Sequence, residues 1–314
     1  MNEQNPKFSI IIPNWNGEQF IARCISSLDL SAKTTKKNYE IIVVDDASND
    51  SSIEIIKQNF PHINLIENKT NIGFGASCNK GIFSAKGDLI ILMNNDIAAK
   101  DGLVENLIKH FDKKENSDLF CVSCKTMDWN DDQPNHLNMS FEFSKGNVNL
   151  KYADSKTLSQ TMFFQGGGCA FRKDIFFKLG GFCPIYHPGY WEDYDISYNA
   201  LKNGYKILYE PEAVALHFGK SSFKKKYGEE AVEVLVERNK LIFTLINISD
   251  MDFIISFFIY LPIRISKQLL LNGNSKQLKA FIKTFPKIPA ILKQRQSRLN
   301  NYKFPDKQII NKFR

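Results

Sequence analysis

The sequence predicts an α/β fold: a Rossmann-like, doubly wound mixed sheet with a helical appendage at its C-terminal end. Three observations carry that expectation. Buried strand and amphipathic helix alternate four times within residues 8–111, the order that places helices on both faces of a largely parallel sheet. Three of those strands end in polar residues. Beyond residue 229, apolar residues recur at roughly helical spacing.

The run FSIII at 8–12 is β-branched and apolar and stops at Pro13, the pattern of a strand covered on both faces. Residues 18–30 carry Phe20, Ile21, Cys24, Ile25 and Leu28 on one helical face. EIIVV at 40–44 is a second buried strand closed by Asp45 and Asp46, and Ser48, Asn49 or Asp50 is expected to cap the next helix. A short third strand is expected at 63–66 and a loop entering a helix at 73–84. DLIILM at 88–93 is the fourth strand, ending in Asn94, Asn95 and Asp96, and residues 102–111 are again amphipathic. Ligands of such sheets bind at the carboxyl ends of the strands. Asn14, Asn16, Asp45, Asp46, Asn94, Asn95 and Asp96 are therefore expected along one rim.

Residues 126–165 are polar and irregular, with loops and short strands expected. Gly166-Gly167-Gly168 opens a second ordered block. It holds a helix near 174–179, a turn at Gly180-Gly181, an acidic cluster, a helix to about residue 202, and strands at 205–209 and 213–216. MDFIISFFIYLPI at 251–263 is strongly apolar but falls short of the ~18 residues of a membrane span, so none is expected.

The 314 residues, 43% of them hydrophobic, supply a large core. Net charge is +7, unevenly placed: residues 261–314 hold thirteen Lys/Arg and one acid, Asp306. That tail is about +12 and the remainder about −5, which favours an anionic partner surface, either membrane or nucleic acid. Six scattered cysteines form no disulfide framework, and MNEQNPKFS lacks the apolar core of a secretory signal. A reduced, cytoplasmic setting is expected. Cys121 and Cys124 form a lone CxxC, expected to pack in a strand rather than bind zinc.

The stretch GYWEDYDISY sets Glu192, Asp193 and Asp195 among Tyr190, Trp191, Tyr194 and Tyr198. Acids favour the first turn of a helix, but a solvated helix start does not need such apolar company. A carboxylate in that setting has its pKa raised toward the range of a general base. Asp45-Asp46 suits either a strand-to-helix turn or acceptance from a nucleobase N–H or a ribose hydroxyl. NIGFGASCNKG at 71–81 departs from the dinucleotide fingerprint, although its glycines permit close backbone approach. Asn94-Asn95-Asp96 offers oxygen ligands of the kind Mg²⁺ and Mn²⁺ take, and taken alone is equally an ordinary turn. His217 alone is a weak signal.

In order along the chain, these pieces resemble the family 2 glycosyltransferases, which have the GT-A fold. FSIIIPNWNG, VVDDASND, NIGFGASCNKG, LMNND, GGGCAFRK, GGF, WEDYD, and His217 with Ser221-Ser222 carry the resemblance over residues 7–223. Within the family they look most like bacterial rhamnosyl- and galactofuranosyl-type enzymes that build surface polysaccharides. The resemblance implies a catalytic domain over 1–223, with a nucleotide-sugar half at about 1–125 and an acceptor half at about 126–223. A basic helical region follows at 224–314.

It also implies roles. The donor, a UDP- or dTDP-linked sugar, would meet Pro13, Asn14, Trp15, Asn16, Asp45, Asp46, Gly73, Asn79, Asn94 and Asn95. Asp96 and His217 would ligate Mn²⁺ or Mg²⁺. Asp193, with Glu192 beside it, would take the proton of an acceptor hydroxyl in one inverting displacement. Gly167, Gly168, Trp191 and Asp195 would meet the acceptor, a glycan or lipid-linked glycan. One departure is Asn94, which stands where the family's DxD-type motif has its first acid, so metal is expected to bind weakly without the donor diphosphate.

The tail is expected to be a peripheral anchor on anionic lipid at the inner face of the plasma membrane, the alternative being a helical cap. No nucleic-acid partner is expected. A sugar nucleotidyltransferase would carry a basic glycine-rich loop where Asn14-Trp15-Asn16-Gly17 stands. A non-catalytic carbohydrate- or nucleic-acid-binding protein would leave the acids at 96 and 192–195 without a purpose.

Overall fold

The computed structural model describes residues 6–129, 134–136, 138–153, 155–218 and 226–313; Ser221 and Ser222 lie outside these. Strands β1 (Phe8–Asn14), β2 (Tyr39–Asp45), β3 (Asn64–Glu67) and β4 (Leu89–Met93) are parallel, in the order β3-β2-β1-β4. Helices α1 (Ile21–Thr34), α2 (Ser52–Asn59) and α3 (Phe74–Ser84) connect them. After α4 (Leu103–Ile108) the sheet becomes mixed. β11 (Gly168–Arg172) inserts antiparallel between β4 and β6 (Leu119–Asp128), and β12 (Lys206–His217) runs parallel to β6. Short strands β5 (Ile97–Ala99), β7 (Pro134–His136) and β10 (Ser159–Gln160) complete it, and β8 (Asn138–Ser144) pairs with β9 (Asn147–Ala153) as a separate hairpin.

Successive strand side chains point to opposite faces, and both faces are covered. Ile11, Ile42, Val44, Ile90 and Leu92 join Cys78 and Ile82 of α3 in one apolar layer. Ile10, Ile12, Ile41, Val43 and Ile91 join Ile25 of α1 and Leu107 of α4 in the other. That is why the strand runs carry no polar alternation. The two strands expected at 205–209 and 213–216 are one, β12, whose register shifts between Glu210 and Val214. Cys121 and Cys124 are buried within β6.

Two helices lie between β11 and β12, α5 (Lys173–Lys178) and α6 (Glu192–Lys202). Among the described residues, five more follow: α7 (Glu229–Asn247), α8 (Met251–Asn272), α9 (Lys276–Thr284), α10 (Ile288–Leu299) and α11 (Asp306–Lys312). This region caps the sheet domain. Phe243 of α7 packs against Phe141, Trp191 and Tyr198. Two buried ion pairs tie the cap to α6: Arg298 Nη2 to Asp195 Oδ2 at 2.7 Å, and Lys202 Nζ to Asp306 Oδ1 at 2.9 Å.

One expectation is corrected here. The apolar segment does not stop at Ile263, because the helix runs on through Arg264 and Lys267 to Leu269, Leu270 and Leu271. Residues Met251–Leu271 are long and apolar enough to cross a membrane by length and composition. The two cations break the apolar run in the sequence without breaking the helix.

Candidate active site

The carboxyl ends of β1, β2 and β4 are stitched together by Asn14. Its buried Nδ2 donates to Asp45 Oδ2 (2.8 Å) and Ser52 Oγ (3.1 Å), and its Oδ1 accepts from Asn95 Nδ2 (2.7 Å). Asp45 also accepts from the Ser48 N–H (2.9 Å) and hydroxyl (2.6 Å). Asp46 accepts from the N–H groups of Ile72 and Gly73, both at 2.8 Å, and from Asn68 Nδ2 at 2.9 Å. Gly73 has φ +87, a conformation that suits glycine and turns its N–H onto Asp46. Both carboxylates are buried and build the floor of the rim. Pro13 is buried as well. The more open members of the set are Trp15, with Lys226 Nζ 4.2 Å from its ring centroid, and the exposed Asn16. Asn79 donates to Phe182 O (2.8 Å) and accepts from the Phe182 N–H (3.0 Å), next to the Gly180-Gly181 turn.

At the end of β4, Asp96 Oδ2 lies 3.3 Å from His217 Nε2. Burial disfavours the charged imidazole, but the Asp96 hydrogen bond and charge outweigh it and raise the His217 pKa. Asp96 Oδ1 and Asn94 Oδ1 are buried with no hydrogen-bond partner. Unsatisfied oxygens beside an imidazole fit a hard divalent cation. Among the described residues, no group of three His, Cys, Asp or Glu could hold a metal. Diphosphate oxygens and water would have to complete the shell. Titration of the protein alone with Mn²⁺ is therefore expected to show little binding until a nucleoside diphosphate is added, with His217→Ala weakening the joint binding about 10–100-fold by calorimetry. Tight binding without nucleotide would contradict this arrangement.

The three acids of the WEDYD segment part company around α6, because residues on a helix are about 100° apart. Glu192 faces a cavity of about 260 Å³ lined also by Gly73, Gly75, Tyr186, His187 and Pro188. Its Oε2 is buried and unpartnered. Burial, and the Asp193 charge next to it, push its pKa up to about 8. Asp193 turns toward β11. Its Oδ2 accepts from the Gly166 N–H (3.1 Å) and its Oδ1 from the Tyr194 N–H (2.8 Å). Burial raises its pKa to about 6 against the opposing pull of those amides. The glycine run continues to the 94–96 strand end, since the Asn94 N–H donates to Gly167 O at 3.2 Å. A Cβ on Gly167 would strike the Asn94 side chain. Asp193 and the 94–96 strand end thus flank one glycine pair.

The four residues expected to meet the acceptor are all buried. Asp195 is fully buried beneath Arg298, Asn247 and Tyr186. Trp191 is 4% exposed, against Tyr194 and Phe243, and offers no platform to a sugar ring. Gly167 and Gly168 are covered too, Gly168 paired with Met93 inside the sheet. Burial does raise the pKa values of Glu192 and Asp193, but the aromatic rings themselves belong to the core.

Sequence reading missed the residues that aim α6. Tyr190 and Trp191 both have positive φ, +70 and +76, a costly conformation for bulky side chains. Buried Asn239 of α7 holds them there, donating to the carbonyls of Tyr186 (3.2 Å), Gly189 (2.8 Å) and Tyr190 (2.8 Å). Arg238 donates to His187 O at 2.8 Å. In the sequence they lie within the polar run Glu237-Arg238-Asn239-Lys240, where nothing sets them apart from a solvated helix face.

Glu192 carries a pH signature of its own. Its folded-state pKa of about 8 lies above the ordinary 4.5, so stability falls as pH rises between these values. Glu192→Gln is expected to raise stability at pH 8 by on the order of 1–3 kcal/mol, with little change near pH 4. Denaturant melts at both pH values check this, and an equal effect at the two would contradict it.

Comparison with known proteins accords with this geometry. The profile of Glycosyl transferase family 2 matches residues 9–180. The poly(ribitol-phosphate) beta-glucosyltransferase of Bacillus spizizenii is 40% identical over 94 residues, which is 29% of this chain and 15% of that protein. A dolichyl N-acetyl-alpha-D-glucosaminyl phosphate 3-beta-D-2,3-diacetamido-2,3-dideoxy-beta-D-glucuronosyltransferase of Methanococcus voltae is 27% identical over 69% of this chain and 68% of its own. Among solved structures, GalNAc-T7 with UDP, GalNAc and Mn²⁺ superposes with a TM-score of 0.64 at 19% identity. That superposition covers 90% of this chain and 55% of the other. S. aureus TarS 1-349 with UDP-GlcNAc superposes at 0.59 and 18% identity, over 94% and 89%. These structures share the GT-A architecture expected from the sequence. With the matched profile covering more than half of its residues, the chain belongs to glycosyl transferase family 2.

Proposed function

We propose that this protein moves a sugar from a nucleoside-diphosphate sugar to an acceptor hydroxyl with inversion, Asp193 acting as the base. The observation that carries the reading is the placement of Asp193. It is a carboxylate with a pKa raised to about 6, one glycine pair away from the strand end that presents Asn94 and Asp96. A divalent cation held by Asp96 and His217 would supply Lewis-acid stabilisation of the departing diphosphate.

The chain's own residues supply the rest. The Gly166 and Tyr194 amides orient the Asp193 carboxylate, which takes the acceptor proton. Glu192, largely protonated at neutral pH, presents a hydrogen-bond donor to the 260 Å³ cavity on the Gly73 side. Solved neighbours carry UDP-GlcNAc, or GDP-Man with Mn²⁺, which supports a nucleotide-sugar donor here. The name of the Methanococcus relative supports a lipid-linked glycan acceptor, and we propose that the reaction runs at the cytoplasmic face of a membrane.

Incubating the protein with a panel of nucleotide sugars and Mn²⁺, with and without acceptor, tests the reading. Release of a nucleoside diphosphate is expected. Release of pyrophosphate from a nucleoside triphosphate and a sugar phosphate would instead mark a nucleotidyltransferase. Absence of any turnover or thermal stabilisation across the panel would favour a non-catalytic binding protein.

A further inference from the structure

Helix α8 is apolar around most of its circumference, yet only 11% of its most apolar stretch is buried. On one side Phe257, Leu261 and Ile265 join Phe281, Phe285 and Ile288 around an apolar groove of about 600 Å³ between α7, α8, α9 and α10. That volume lies within the ~300–1,000 Å³ of ligand sites. On the other side Ile255, Ile259, Ile263 and Leu270 are more than half exposed. A continuous apolar surface of this kind marks a partner or a membrane.

Charge decides which. Lys276 and Lys279 are paired with Glu233 and Glu230 of α7, and Lys307 with Asp252. Lys267, Lys283, Lys287 and Lys293 have no ion pair among the described residues, and the last three sit within two positions of groove residues Phe285, Ile288 and Leu292. The one acid of residues 261–314, Asp306, is buried under Lys202 and Tyr198. The outer face therefore offers cations beside hydrocarbon, the complement of an anionic lipid surface.

Attachment sets the orientation. Phe253 stacks on Phe143 with ring centroids 4.7 Å apart, and Arg264 Nη1 donates to Lys145 O at 2.7 Å. Gly146 lies so close to Phe257 that a Cβ would collide with the helix backbone. Held between Phe253 and Arg264 by the β8–β9 hairpin, the first half of α8 lies on the domain instead of standing away from it.

We propose that α8, α9 and α10 dock flat on an anionic phospholipid bilayer and that the groove between them receives a lipid acyl chain. Docking of this kind needs no sugar transfer, though it would bring the site to a lipid-linked acceptor. The test uses the full chain in flotation with phosphatidylcholine vesicles, with and without phosphatidylglycerol. Binding is expected only with phosphatidylglycerol and is expected to weaken as salt is raised. Reversing three exposed charges together (Lys267→Glu, Lys283→Glu and Lys293→Glu) is expected to weaken it at least ~100-fold while nucleotide release from a donor sugar persists. Phe258→Trp reports on the groove: its fluorescence is expected to be quenched by brominated acyl chains in bound vesicles. Absence of binding, equal binding to neutral vesicles, or binding without quenching overturns the proposal. So does a dimer seen by light scattering that Ile259→Asp dissolves, since the face would then belong to a second copy.

Discussion

Replacing Asp193 by Asn is expected to lower turnover about 10²–10⁴-fold while leaving donor affinity nearly unchanged. In free energy this is about 3–5 kcal/mol of transition-state stabilisation. The substitution keeps shape, and its carbonyl oxygen can still accept one of the two N–H groups that the carboxylate engages at Gly166 and Tyr194. What it removes is the capacity to take a proton. The pH profile separates this from a loss of packing. Asp193 must be ionised to act, so the wild-type kcat/KM should be full above its pKa of about 6 and fall as pH drops through that value. The residual activity of the variant should lack that acid limb. Steady-state kinetics over pH 5–8, with donor affinity measured separately by thermal shift, check both parts. Near-normal turnover, or an unchanged acid limb, would assign the base elsewhere.

The second large effect concerns stability. Arg298 meets Asp195 through two parallel bonds, Nη1 to Oδ1 and Nη2 to Oδ2, both 2.7 Å, with both side chains buried. Asn247 donates to the same Asp195 oxygen at 2.7 Å and Tyr186 at 2.9 Å. Arg298→Met leaves a buried carboxylate without its cation and is expected to cost about 3–5 kcal/mol in urea unfolding. Arg298→Lys should recover only part, since an ammonium cannot reproduce the planar fork. Removing both charges, as in Asp195→Leu with Arg298→Met, should restore much of the loss, because desolvating the pair offsets most of its attraction. If the single variant unfolds like the wild type, the cap is not fastened at this point. The pair lies two residues from Asp193, so loss of this tether should also lower turnover under conditions where the variant is still folded.

The legible parts of this protein were those set by neighbours in the chain. Short β-branched apolar runs such as IIVV, alternating with amphipathic helices, read as strands covered on both faces, and the polar groups that end them are then expected on one rim. The Asp96–His217 contact was legible as well, though only through family resemblance, since 121 positions separate the two. The acid cluster showed where a raised pKa would arise, because burial beside like charge acts regardless of the fold.

The division of labour within that cluster was not legible. Adjacent positions on a helix point in different directions, and what each one meets comes from elsewhere in the chain. Glu192 meets a cavity beside Gly73, Asp193 the amide of Gly166, and Asp195 a guanidinium 103 positions away. For the same reason Trp191, which in sequence resembles a sugar platform, is core once α7 lies over it. Local sequence sets the periodicity and charge of each segment through short-range sterics and solvation. Which face of that segment becomes site, core or surface depends on segments that only the folded chain brings against it.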